Sequence, residues 1–109
     1  MTNNLAPVPY AAYTVTLPLA NTAYPLRTLL EAVDPNCPLV GREVNLQAAI
    51  ENSGTIKIGD SALAAGRYGY ALQGGDSRLY RATQDCVIFA SIWVMGDAIN
   101  QVISVEVMQ

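Results

Sequence analysis

The chain has 109 residues and a net charge of −3, with 51% hydrophobic residues and only 14% charged ones, against about 25% in an ordinary soluble domain. Arg27, Arg42, Lys57, Arg67, Arg78 and Arg81 are scattered, so there is no basic footprint for nucleic acid or for an anionic membrane surface. A charge-poor composition at this length implies one domain, part of whose surface is covered by other protein.

Pro7, Pro9, Pro18, Pro25, Pro35 and Pro38 all fall in the first 38 residues. Proline lacks a ladder donor, so the first third should be arm, edge or loop, and later residues are free to form central strands. Met1 to Pro9 reads as an extended arm and 10–109 as a single β-domain. Met1 is followed by Thr-Asn-Asn rather than by a basic, apolar leader, and synthesis in a cytoplasm is the expectation. The longest apolar run, Val87 to Gly96, is about half the roughly 20 residues a spanning helix needs.

Tyr10 to Leu17 alternates Tyr13, Val15 and Leu17 with Thr14 and Thr16, the period of a half-buried strand. A further short strand is possible near Ala20 to Tyr24. Pro25 to Val33 is the helical candidate. Leu26, Leu29, Leu30 and Val33 form one stripe, Pro25 suits the first helical position, and Pro35 ends the element. Glu43 to Ile50 should bury Val44, Leu46 and Ala48. The cluster Asn52-Ser53-Gly54 turns the chain into Thr55 to Ile58. Tyr68 to Leu72 should place Tyr68, Tyr70 and Leu72 on one side, and Arg78 to Arg81 is a brief strand. Cys86 to Met95 reads as one central strand with Trp93 in the core. Gly96-Asp97 leads into Ile99 to Met108, with Ile103, Val105 and Val107 facing away from Val102, Ser104 and Glu106. Strands at this spacing predict an all-β, two-layer antiparallel sandwich, jelly-roll-like, with one short helix near 25–33.

The chain contains no histidine, which removes the usual general base, the commonest metal ligand and the serine and cysteine triads together. Gly59-Asp60-Ser61 and Gly75-Asp76-Ser77 read as turns whose aspartates cap backbone amides, not as nucleophile motifs. Cys37 and Cys86 lack zinc spacing and read as buried free thiols, although they could pair. No metal, cofactor or catalytic set is expected, and the protein reads as a non-enzyme. The aromatic resource is Tyr10, Tyr13, Tyr24, Tyr68, Tyr70, Tyr80 and Trp93.

Val44 to Val107 resembles small virion proteins of tailed bacteriophages. The pattern is Val44-Asn45-Leu46-Gln47, then Thr55-Ile56-Lys57-Ile58-Gly59-Asp60-Ser61, the segment Gly69 to Leu72, the turn Gly74-Gly75-Asp76-Ser77, and a final hairpin from Val87 to Met108. The resemblance implies a capsid decoration (cement) protein: a homo-oligomer, expected as a trimer, that binds the major capsid protein on the virion surface. Pro7, Pro9, Tyr10, Tyr13, Tyr68 and Tyr70 are the candidate assembly contacts. The competing reading is a receptor- or carbohydrate-binding module of a fibre or lectin, carried by exposed tyrosines. A tail or neck component is a third.

Overall fold

A computed structural model describes residues 10–38, 40–82 and 87–108. The expected arm, with Pro7 and Pro9, lies outside the described residues, as does Cys86. The elements in chain order are β1 (Tyr10–Leu17), β2 (Ala23–Pro25), α1 (Leu26–Val33), β3 (Val40–Gly41), β4 (Glu43–Ala48), β5 (Ile56–Gly59), β6 (Tyr70–Leu72), β7 (Ser77–Arg81), β8 (Val87–Ile88), a 3₁₀ turn (Phe89–Ser91), β9 (Trp93–Gly96) and β10 (Gln101–Met108).

The pairings nest. β1 pairs with β10, β2 with β9, β3 with β8, β4 with β7 and β5 with β6, all antiparallel. The chain is one long hairpin that reverses between β5 and β6. It then rolls up through two further contacts, β10 with β4 and β9 with β5. The products are a first sheet ordered β1-β10-β4-β7 and a second ordered β2-β9-β5-β6. This is the jelly-roll order, so the all-β sandwich expected from strand spacing is the observed fold.

Alternation along the strands builds the core. Val15 and Leu17, then Val44, Leu46 and Ala48, then Ile103, Val105 and Val107 point inward from the first sheet. Ile56, Ile58, Leu72 and Val94 meet them from the second, and Leu26, Leu29, Leu30, Phe89 and Ile92 complete the same cluster. The helix packs against β1, β2 and the 3₁₀ turn, with Leu26, Leu29 and Leu30 entering the core between the two sheets. The opposite side is closed by Arg78 of β7. Its guanidinium lies 4.8 Å from the Tyr70 ring centre and 5.5 Å from that of Tyr80.

Four expectations need correction. Cys86 to Met95 is not one strand: within its described part, the 3₁₀ turn at Phe89–Ser91 separates β8 from β9. The chain leaves β3 here and joins the second sheet. The turn shifts the alternation so that Phe89, Ile92 and Val94 all reach the core. A continuous strand would put Phe89 and Val94 on opposite faces. Trp93 is half-buried and outside the core cluster, because Val94 next to it takes the inward position. Val33 is exposed: the helix runs one turn past the core that buries Leu26, Leu29 and Leu30. Pro25 is the extended residue before the helix, at ψ 136°, and closes edge strand β2.

Candidate functional site

Two concave features stand out, one on an outer sheet face and one at the β5–β6 loop, and each contains a tyrosine singled out from the sequence. The first is on the β1-β10-β4-β7 sheet. Strand register sets Tyr10, Met108, Glu43 and Arg81 in one row, with Ala12, Glu106, Asn45 and Leu79 in the next. This groove measures about 220 Å³, against about 320 Å³ for the second feature, and is lined by Tyr10, Glu43, Asn45, Leu79, Glu106 and Met108. Tyr10, Leu79 and Met108 form an exposed apolar rim at 60%, 45% and 39% of full accessibility. Glu106 fixes the Tyr10 ring by accepting its hydroxyl hydrogen bond at 2.9 Å, and this bond raises the phenol above its usual range. Arg81 pairs with Glu43 at 2.7 Å, so one of the two groove carboxylates is already neutralised.

The larger cleft lies where β5 turns toward β6. Gly59, Asp60, Arg67, Tyr68 and Gly69 line it. Asp60 organises this loop much as its turn motif suggests. Its carboxylate accepts the Ala62 amide at 2.9 Å, and its carbonyl accepts the Leu63 amide at 3.0 Å. The Arg67 guanidinium grips the same carboxylate with two bonds, at 2.6 and 3.3 Å. The Arg67 bonds, with the Ala62 amide second, hold Asp60 below the usual carboxylate range, and Arg67 is raised in turn. Lys57 stands 4.9 Å from the centre of the Tyr68 ring while donating to the Ala65 carbonyl. Tyr68 keeps about half its surface exposed. In the second Gly-Asp-Ser turn, Asp76 accepts the Gln73 amide at 3.1 Å, and Gly75 takes the positive φ of 90° that the reversal needs.

The sequence-selected tyrosines therefore do not converge. Tyr10 belongs to the sheet-face groove and Tyr68 to the cleft. Tyr70 is exposed on the β6 edge, stacked with Arg78. Tyr13 is half-buried against the core and donates to Asp34 at 3.2 Å. Desolvation, then that bond, raises its phenol. It is tethered to the helix end and is a poor free contact. Leu79 and Met108 were missed, because the sequence does not show that β4, β7 and β10 are neighbours. Cys37 is buried, as expected, and forms no disulfide among the described residues; its thiol is raised chiefly by burial, with Glu31 and Asp34 adding to the shift. Among the described residues, no three groups of the metal-ligating types come together.

The fold and these surfaces define a small jelly-roll domain with one groove on a sheet face and one cleft at the β5–β6 loop. Comparison with family models, curated proteins and solved structures gives no match for the chain.

Proposed function

We propose that the protein is a non-enzymatic structural component of a virion, a decoration protein that self-associates and coats the outside of a capsid. The observation that carries this reading is the groove rimmed by Tyr10, Leu79 and Met108. Three large, exposed apolar side chains around one groove on a regular sheet face suit protein contact better than water. The resemblance across Val44 to Val107 supplies the kind of partner, the major capsid protein. A ligand that binds only the assembled shell stabilises that state by mass action, and many copies add avidity.

Sedimentation of the protein with expanded shells of its phage, and separately with free capsid subunits, tests the proposal. Co-sedimentation with shells alone is expected, weakened at least tenfold by Leu79→Ser with Tyr10→Ala. Equal recovery with and without shells would overturn it.

A specific observation also favours a second reading, saccharide binding. Tyr68 presents an aromatic surface beside the Arg67 donor and the Asp60 acceptor, in a cleft at the lower end of small-ligand sizes. Hits on a glycan array that vanish with Tyr68→Ala would move the assignment to this class.

A further inference from the structure

We propose that the edge of β1 that is unpaired among the described residues is a strand-pairing site for a second copy of the same chain. The two copies join antiparallel, β1 to β1, into one continuous eight-stranded sheet.

Hydrogen bonds already present fix which backbone groups face outward. The Val102 carbonyl accepts from Ala49 and the Met108 carbonyl from Arg42, so these positions of β10 direct their backbone groups toward β4. In an antiparallel ladder such groups alternate sides. Gln101, Ile103, Val105 and Val107 therefore serve β1, through Leu17, Val15, Tyr13 and Ala11. The N–H and C=O groups of Ala12, Thr14 and Thr16 then point off the sheet. All three residues are exposed, and no described residue bonds to their backbone.

The other three edges of the two four-stranded sheets are defended. β2 is three residues long and contains Pro25, and β6 is also three residues long. β7 places Arg78 on its inward side and Arg81 on its outer side. Short strands, proline and inward-directed charge are the devices that block edge-to-edge pairing. β1 has eight residues, no charge and no proline. The helix meets β1 on its inward side, where the Tyr13 hydroxyl donates to Asp34, and leaves Ala12, Thr14 and Thr16 exposed.

Self-pairing is favoured over other occupants by the sequence of β1 itself. A two-fold axis at Thr14 sets Thr14 opposite Thr14 and Ala12 opposite Thr16. No like charges meet, and the threonine pair is a favourable cross-strand combination. A neighbour's residues 1–9 would be worse partners, because Pro7 and Pro9 cannot donate.

The pairing rests on no assumption about a capsid. Sedimentation equilibrium at roughly 100 µM, a range suited to a small edge interface, should show a dimer. Thr14→Pro removes an outward N–H without touching a bond to β10. It should yield a monomer with nearly unchanged far-UV circular dichroism. T14C should cross-link on mild oxidation, because directly paired residues lie about 5.5 Å apart between Cα atoms, within disulfide reach. A12C alone should not cross-link, whereas a mixture of A12C and T16C should. A monomeric wild type, a dimer that survives Thr14→Pro, or cross-linking by A12C alone would each overturn the pairing. A wild-type monomer that still coats shells would remove this inference and leave the decoration reading standing. A dimer without shell affinity would do the reverse.

Discussion

Asn52 offers the sharpest test of how the roll is held shut. Its side chain acts as a short extra strand beside β10. Nδ2 donates to the Val102 carbonyl at 2.8 Å, and Oδ1 accepts from the Val102 amide at 2.9 Å. The carbonyl has a second donor, the Ala49 amide at 3.0 Å, but the amide has no other partner among the described residues. Asn52→Ala therefore removes two bonds and strands one half-buried N–H, a loss of about 2 kcal/mol. For a domain of this length that lowers the melting temperature by roughly 8 °C. Asn52→Asp refines the test. Its carboxylate can still accept from the Val102 amide but faces the carbonyl oxygen with nothing to donate. Protonation restores the donor, so the folded state raises the pKa of the new acid. A raised acid stabilises the fold below its unfolded pKa of about 3.9, and that contribution disappears as pH rises through the folded value. The gap between wild type and N52D in thermal melts should therefore narrow from pH 7 to pH 3.5, while the gap to N52A stays constant. A constant gap for N52D, or a loss below about 0.5 kcal/mol for N52A, would refute the strand-mimic account.

The remaining predictions concern the same loops and the core. Gly54→Ala should cost about 2 kcal/mol, because a Cβ at position 54 would collide with the Asp97 carboxylate that accepts the Thr55 amide at 2.8 Å; chemical denaturation reads this directly. Phe89→Ala should cost about 3–5 kcal/mol, since the ring is fully buried at the junction of helix, 3₁₀ turn and sheets. In a Cys86→Ser background, Cys37 should react with an aromatic disulfide reagent only as fast as the fold opens, because burial hinders access and raises the thiol. The Asp60–Arg67 pair should release the β5–β6 loop in acid. Asp60 is lowered when folded, so its contribution is present above the unfolded carboxylate value and lost as pH falls through the folded one. Amide exchange at Ala62 in wild type and Asp60→Asn should converge at low pH.

The first sheet was legible because its inner faces obey the strand period without interruption. Val44, Leu46 and Ala48, and Ile103, Val105 and Val107, sit where alternation places them. The helix was legible from its leucine stripe between two prolines. The second sheet was harder. β6 and β9 have three and four residues, and the 3₁₀ turn breaks the period inside the most apolar stretch of the chain. A small, polar Ala90-Ser91 step in that stretch was the available signal. The candidate surfaces were only half visible. Exposed tyrosines can be suspected from composition, but the Tyr10 groove requires β10 to lie between β1 and β4, a contact across more than half the chain.

The distribution of charge sharpens what the low charge content means. Five of the six basic residues are engaged within the molecule. Arg27 pairs with Glu31, Arg67 with Asp60 and Arg81 with Glu43, while Lys57 and Arg78 lie against tyrosine rings. The three ion pairs are solvent-exposed and add little stability. Their effect is to neutralise charge near the loops and the groove. On the outer face of the first sheet, Thr14, Ser104, Gln47 and Ser77 form a row with no charge, and Thr16 and Val102 continue it. This neutral strip runs to the open edge of β1. A face without charge beside an edge without defence presents no repulsion to an identical copy, whereas the charged β7 edge does. The polarity of the sheet thus directs contact toward one side, and the same strand carries Tyr10 into the groove, so pairing at β1 would set two grooves on one continuous surface.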